Sequence, residues 1–433
     1  MNEDDKLVQR GLAALAPAAH HYYPISIERG DGTVVICKDG RRFLDFSSGL
    51  AVLNIGHSHP RVLAAVREQL HKVIHTGGIY YNESTVAAAE ALLSVTPPGL
   101  DMLFFGNSGA EAVEGALKLA RYTSGRQGII SCTGAFHGRT LGALSLTSSS
   151  SAYRRRYHPL LPSVYQVSYP ACFSCPSGLT PESCGDKCLD EVTRLFERQI
   201  PPEEVCAIIV EPFLGEGGYY PAPKSYLKGL RAICDQYGIL LIFDEVQSGI
   251  GRTGKWFCCD HAGVRPDIMT VAKAIASGFP LGAVVASKEL MGRWDPSSHG
   301  STFGGNPVSC AAARATLQVI REEGLLDAAH LIGSRLLSSL QELALQNPSI
   351  GQVRGMGCMI GVEFVDEAGA ADSRLCQNLI DDCLAKGLIL IGAGLKRNVV
   401  RFIPPLNVSD GELREALAIF TEALTALARH KGG

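Results

Sequence analysis

The chain alternates short apolar runs with longer stretches in which Ala, Leu, Ile or Val returns every three or four positions. The first pattern suits strands and the second suits helices, because strand side chains alternate faces whereas helix side chains repeat about once per turn. The predicted strands are Met102–Phe105, Gly128–Ser131, Ser163–Val167, Ala207–Val210, Ile239–Phe243, Ile268–Val271 and Ala283–Ala286. Predicted helices cover Ala110–Tyr122, Leu189–Gln199, Lys224–Tyr237 and Pro307–Glu323. Strands that alternate with helices predict an α/β fold with a mostly parallel sheet.

The texture changes near Glu323. A long helix, Leu325–Gln346, precedes strand–helix–strand material at Met359–Phe364, Ser373–Lys386, Leu388–Ile391 and Val399–Phe402, and a helix at Gly411–Ala428 closes the chain. The first ~55 residues read as strand and turn, with strands at Thr33–Cys37 and Arg42–Asp45. The expected division is a large domain over residues 56–323, and a smaller one built from residues 1–55 and 324–433.

Composition narrows the function. With 433 residues, 46% hydrophobic and 19% charged, the chain can bury a large core, which excludes disorder of the whole chain. Lys and Arg number 40 against 43 Asp and Glu, so no strong positive field attracts nucleic acid and a small-molecule partner is expected. The acidic start Met1-Asn2-Glu3-Asp4-Asp5 lacks the basic-then-apolar order of a secretory signal, and no apolar run approaches the ~20 residues of a membrane helix. A cytoplasmic protein without membrane contact is expected. Most of the 14 cysteines should then be reduced core thiols.

Three segments carry candidate chemistry. Phe105-Gly106-Asn107-Ser108-Gly109-Ala110-Glu111 reads as a strand end, a small polar turn and a helix start. Backbone N–H groups at such a turn can seat a phosphate, although Ser108 with Glu111 is equally a simple helix cap. Asp244 follows the apolar run Ile239–Phe243, at the strand end where α/β ligands bind. It could face a protonated ring nitrogen, or cap the strand. Lys273 sits among apolar residues in Thr270-Val271-Ala272-Lys273-Ala274-Ile275, where desolvation would lower its pKa and activate it for a Schiff base, unless it reaches solvent.

Two glycine-rich matches fail on context. Gly249-Ile250-Gly251-Arg252-Thr253-Gly254-Lys255-Trp256 contains both G-x-G-x-x-G and G-x-x-x-x-G-K spacings. Trp256 stands where a phosphate loop needs Ser or Thr, and the segment does not directly follow its strand.

A phosphate seat, a strand-end aspartate and an apolar lysine, in that order, suit pyridoxal 5′-phosphate. The sequence resembles the class III, or omega, aminotransferases of the pyridoxal phosphate fold type I, near the 4-aminobutyrate aminotransferases. The likeness runs from about residue 20 to the C-terminus. It is carried by Asn107–Ala112, Ala135–Thr140, Glu211–Gly218, Asp244–Gly249, Ala272-Lys273 and Gly300–Pro307.

The resemblance implies a large, mostly parallel α/β/α domain with a smaller α/β domain. It also implies roles for residues. Lys273 would form the Schiff base and move the proton, and Asp244 would keep the pyridine nitrogen protonated. Ser108, Gly109 and Ala110 would bind the phosphate, and Thr302 would add a hydroxyl from the neighbouring subunit. Phe136, where many relatives carry Tyr, would stack on the ring beside His137. Val246 and Gln247 would lie against the other ring face and the ring hydroxyl.

For the substrate, Arg401 resembles the family's carboxylate-binding arginine and Glu216 its gating partner. Arg139 matches the position that holds a distal carboxylate, with Glu211 hydrogen-bonding near it. Leu50 would wall the pocket, with Tyr80 and Tyr81 nearby. The implied activity is ping-pong amino transfer from a 4-aminobutyrate-like omega-amino acid to 2-oxoglutarate, in a cytoplasmic homodimer with shared sites that could pair further into a tetramer. Alternatives within the family are an amino-acid racemase or epimerase and an acetylornithine- or ornithine-type aminotransferase.

Cys172-x2-Cys175-x8-Cys184-x3-Cys188 lies in a Pro- and Gly-rich insert. Four close thiols resemble Zn²⁺ or iron–sulfur ligation, but the spacing is not that of a standard zinc finger. Reduced loop thiols or a disulfide are simpler, some members of this aminotransferase branch carry such a loop, and no metal is expected.

Overall fold

The computed structural model describes residues 3–18, 21–175 and 178–431. Its central sheet has seven strands in the order Met102–Gly106, Gly282–Ala286, Ile268–Val271, Leu240–Asp244, Val205–Val210, Gly128–Cys132 and Val164–Val167. Gly282–Ala286 runs antiparallel to both neighbours, and every other pairing is parallel.

Neighbouring residues on these strands enter different cores, as alternating side chains require. Ile209, Ile242, Ile268 and Val284 share one core with Val113, Ala116, Leu117 and Ala120 of the helix Gly109–Ser124. Ile208, Leu241, Phe243 and Met269 share the other with Tyr226, Leu230, Cys310 and Ala313. A sheet covered on both faces explains why its strands read as continuous apolar runs rather than alternating ones. Each fully buried Leu or Ile contributes roughly 1.5–3 kcal/mol.

The helix Gly109–Ser124 starts where Ser108 Oγ accepts the Glu111 N–H at 3.2 Å, and stops at Gly125, whose φ of 73° suits a left-handed cap. The capping reading of Ser108 therefore holds. Glu111 reaches one residue further back than a capping box would, accepting the Asn107 N–H at 2.8 Å.

Two four-stranded sheets lie outside the central one, besides the two-stranded pair Phe213–Leu214 and Tyr220–Pro221. Ile27–Asp31, Val34–Cys37, Arg42–Asp45 and Leu388–Ile389 form the first, so residues from both ends of the chain share it. Ile350–Met356, Met359–Phe364, Val399–Phe402 and Ile391–Ala393 form the second, in that order. The predicted strand Leu388–Ile391 is thus two strands. Leu388 pairs with Leu44 in one sheet and Ile391 with Arg401 in the other. Four consecutive apolar residues gave no sign that the chain changes sheets at Leu390.

The strand-and-turn reading of the first ~55 residues missed a helix at their start, and two further helices that were not predicted lie beyond that stretch. Helices occupy Glu3–Ala14, Pro60–Leu70 and Glu83–Leu93, the last capped by Asn82 Oδ1, which accepts the Thr85 N–H. The helix expected at Leu189–Gln199 begins earlier, at Pro181, within the cysteine insert. Among the described residues no helix is long and apolar enough to cross a membrane.

The glycine-rich segment at 249–254 is structural. Arg252 is fully buried and donates to the carbonyls of Cys358 and Pro404 and to Asn54 Oδ1. A side chain on Gly357 would meet the Thr253 backbone at 2.5 Å, so this turn is packed against its neighbour with no room for a nucleotide phosphate.

Candidate active site

The strands Met102–Gly106, Gly128–Cys132, Val205–Val210, Leu240–Asp244 and Ile268–Val271 all point the same way. Their carboxyl ends therefore open on one edge of the sheet, where α/β ligands gather. The segments that follow them begin with Asn107-Ser108, Thr133–Arg139, Glu211, Asp244-Glu245 and Ala272-Lys273. Parallel topology alone collects these separate motifs.

Asp244 is buried in this edge. Its Oδ2 lies 2.7 Å from His137 Nδ1, and its Oδ1 accepts from the Val246 N–H and from Thr270 Oγ1, each at 3.1 Å. Burial alone would lower the His137 pKa, but the hydrogen bond to Asp244 and that residue's charge raise it. His137 Nε2 is buried without a hydrogen-bond partner among the described residues. The His137 N–H donates to Thr147 Oγ1 at 2.9 Å, which fixes the backbone beneath the ring.

Lys273 starts a short 3₁₀ turn with φ of 47°, a left-handed conformation that costs a non-glycine residue energy. Burial lowers its pKa from 10.5 to about 8, offset in part by Glu211 and Asp244 and reinforced by Arg401. Glu211 is buried, and burial pushes its pKa up to about 7. It accepts the Phe136 N–H at Oε1 and the Gly215 N–H at Oε2, both at 2.9 Å. Its hydrogen bonds thus run to the backbone at Phe136, three residues before Arg139, and at Gly215, next to Glu216.

Val246 packs so near the phosphate-seat turn that a side chain on Gly109 would meet Val246 Cγ1 at 2.8 Å. The N–H groups of Gly109 and Ala110 open the helix and have no carbonyl one turn behind them. Gln247 Oε1 accepts the Tyr219 hydroxyl at 2.7 Å.

A second group of residues faces this one from the small sheet. Arg401 lies mid-strand in Val399–Phe402 and is only 2% exposed. Its Nη1 is 3.4 Å from Glu216 Oε2. Its Nε and Nη2 are buried with no hydrogen-bond partner among the described residues. Burial lowers the Arg401 pKa, but Glu216, Tyr219 and Tyr22 together exceed this and raise it. The loop carrying Glu216 is clasped by the same sheet. The Gly394 N–H donates to the Glu216 carbonyl, and Arg354 donates to the carbonyls of Gly218 and Tyr219.

Glu216 Oε1 accepts the Tyr153 hydroxyl at 3.0 Å. The guanidinium of Arg139 lies 3.6 Å from the centre of the Tyr153 ring and 5.5 Å from that of Phe136. Tyr153 and Tyr219 escaped the sequence reading. Tyr153 sits on a four-residue helix, Ser151–Arg154, too short to show a period. Leu50 is exposed on the turn Ser48–Ala51, where Ser48, Gly49, Leu50 and Ala51 all have positive φ.

Thr302 is exposed, on a turn beside Gly77, and makes no hydrogen bond to the Lys273 group among the described residues. Ile79, Tyr80, Tyr81 and Phe303 are exposed apolar side chains, Tyr81 at 98%.

The sequence model for class-III aminotransferases matches residues 15–424. The chain belongs to this family. It is 40% identical over 428 residues to the 5-aminovalerate aminotransferase DavT of Pseudomonas putida, covering 98% of this chain and 99% of that one. It is 38% identical over 426 residues to the 4-aminobutyrate aminotransferase GabT of Escherichia coli, covering 98% of each. A thermostable (S)-enantioselective omega-transaminase from Thermomicrobium roseum superposes with a TM-score of 0.91 at 34% identity, covering 97% of this chain and 98% of that one.

The aminotransferase therefore has the pyridoxal phosphate fold type I, and its cofactor is pyridoxal 5′-phosphate. The residues present fit that group: a half-buried lysine whose amine pKa is lowered by desolvation, a buried carboxylate, and a helix start with small residues for an anion.

The cysteine insert stands apart from this chemistry. Cys172 and Cys175 pack at the edge of the large core and Cys188 is buried in it, while the Cys184 side chain lies outside the described residues. A cavity of about 480 Å³ borders Cys175, Cys188, Leu214 and Gly217 but contains neither Lys273 nor Arg401.

Proposed function

We propose that this aminotransferase moves the amino group of an omega-amino acid of the 4-aminobutyrate or 5-aminovalerate kind to 2-oxoglutarate, in alternating half-reactions. The observation that carries the reading is Arg401: a buried guanidinium with two nitrogens that have no hydrogen-bond partner among the described residues, covered on one side by a glutamate. Buried donors of that geometry call for a carboxylate, which the planar fork binds in bidentate fashion. With Glu216 in place, the charge of Arg401 is balanced and a donor with no carboxylate near its reacting carbon can enter. With Glu216 swung aside, Arg401 receives the α-carboxylate of 2-oxoglutarate or glutamate, and Arg139 receives the distal one.

Pyridoxal phosphate, once bound, supplies the electron sink that makes the amine-bearing carbon acidic. Asp244 holds the ring nitrogen side, supported by His137 and Thr270. Gly109 and Ala110, with Ser108, seat the phosphate through backbone N–H groups. Phe136 and Val246 would line the two ring faces, and Gln247 would lie toward the ring hydroxyl. Lys273 would hold the cofactor, and its neutral Nζ would take the proton from the reacting carbon. Burial keeps a useful share of that amine neutral near physiological pH.

A second copy of the chain completes the site by supplying Thr302. The exposed apolar residues Ile79, Tyr80, Tyr81 and Phe303 around that turn support a homodimer interface. A cytoplasmic setting accords with the buried thiols Cys132, Cys206, Cys234 and Cys310, none of them in a disulfide.

The test is a donor panel with the holoenzyme, using 2-oxoglutarate and pyruvate as acceptors, beside a chiral assay without any keto acid. The reading requires omega-amino acids to yield glutamate from 2-oxoglutarate faster than alanine from pyruvate. Inversion of an α-amino acid with no acceptor present, and no transfer from any omega-amino acid, would make the protein a racemase instead.

A further inference from the structure

Arg401 and Arg139 are joined through one side chain. Glu216 is held at both oxygens, by Arg401 Nη1 at 3.4 Å and by the Tyr153 hydroxyl at 3.0 Å. The Tyr153 contact is the shorter of the two. The face of the same ring carries the Arg139 guanidinium at 3.6 Å, and its edge packs on Phe136 with centroids 5.8 Å apart. Tyr153 is partly buried, and burial together with Glu216 raises its phenol pKa, so the hydroxyl keeps the proton it donates.

We propose that Tyr153 determines which substrate class enters, as a latch that holds Glu216 over Arg401 and parks Arg139 on its ring. The inference rests on the two-arginine reading above. A dicarboxylate needs Arg401 uncovered, so binding it breaks the Tyr153–Glu216 hydrogen bond. An omega-amino acid needs Arg401 covered, so the same bond favours it. Arg139 takes the distal carboxylate of either class and leaves the ring in both cases, so discrimination rests on the Tyr153–Glu216 hydrogen bond alone. A ligand shifts such an equilibrium only by its differential affinity for the two states, and the latch sets the starting point.

The experiment compares the wild-type holoenzyme with Tyr153→Phe, which keeps the ring and its stacking and removes only the hydroxyl. Glutarate binding is measured by calorimetry, and the half-reactions with 5-aminovalerate and L-glutamate are followed separately by cofactor absorbance. Losing one hydrogen bond that favours the covered state should tighten glutarate about fivefold, slow the 5-aminovalerate half-reaction by a similar factor, and leave the L-glutamate half-reaction unslowed. In a Glu216→Ala background, Tyr153→Phe should change glutarate affinity no further, because the partner of the hydroxyl is gone.

Equal slowing of both half-reactions, unchanged glutarate affinity, or an undiminished effect without Glu216 would each overturn the latch. A wild-type protein that accepts no omega-amino acid in its half-reaction would instead refute the parent reading, and the latch with it.

Discussion

His137 Nδ1 and Asp244 Oδ2 meet at 2.7 Å in the buried floor of the site, with the histidine pKa raised because the hydrogen bond and charge of Asp244, together with Glu211, exceed the lowering by burial. The pair keeps a negative charge available deep in the protein, steadied by Thr270 Oγ1 and the Val246 N–H. Asp244→Asn preserves the shape and most hydrogen bonds but removes the charge. Half-reaction rates should then fall by two to three orders of magnitude, the usual scale for losing one preorganised electrostatic contact. Burial would also dominate at His137, so its proton should leave at lower pH, which NMR of the imidazole can follow. A rate within tenfold of wild type would show that Asp244 does not serve the ring nitrogen.

Lys273 should titrate near pH 8. At pH 7 about a tenth of its amines are then neutral, against fewer than about one in a thousand for an ordinary lysine. Borohydride trapping of pyridoxal phosphate on the cofactor-free protein should rise with pH to a plateau with a midpoint near 8, and Lys273→Ala should trap none at this site. A midpoint above 10 would mean that the amine is solvated and the burial argument fails.

Glu211 gives a stability signature. Its pKa is raised by burial from 4.5 to about 7, so the folded state binds its proton more tightly than the unfolded state does. Its contribution to stability is present below pH 4.5 and is lost as pH rises through 7. Glu211→Gln abolishes that dependence. It also turns an NH₂ toward one of the two backbone donors at Phe136 and Gly215, at a cost of about 1–3 kcal/mol. Denaturant titrations between pH 5 and 8 should therefore show the gap between wild type and variant narrowing as pH rises. A constant gap would place the titration elsewhere.

Much of the large sheet, and the placing of Asp244 and Lys273 at one edge of it, was legible in the sequence, for a physical reason. A buried parallel strand is a run of apolar residues, and the residue just past its carboxyl end faces the ligand edge, so Asp244 and Lys273 could be found by adjacency. Arg401 could not. It lies mid-strand within apolar neighbours, and only family resemblance drew attention to it. Tyr153 and the clasp of Gly218 by Arg354 depend on contacts between distant segments that leave no local pattern. Glu211 was placed near Arg139 only by the family resemblance, and no local pattern shows that its carboxylate accepts from the Phe136 and Gly215 backbone. Leu50 rests on a run of left-handed residues, of which only Gly49 gave any hint.

The exposed Thr302 allows a sharp test of whether sites are shared. If Thr302 serves the partner's cofactor, a mixed dimer of Lys273→Ala and Thr302→Ala chains contains one doubly damaged site and one intact site. The intact site takes its lysine from the Thr302→Ala chain and its threonine from the other. Random re-association of equal amounts gives half mixed dimers, so activity should recover to about a quarter of wild type, above the mean of the two parent variants. If Thr302 served its own chain, every site would carry one lesion and mixing would recover nothing. Dilution that separates the chains should abolish the recovered activity, whereas rates unchanged by mixing would remove Thr302 from the shared site.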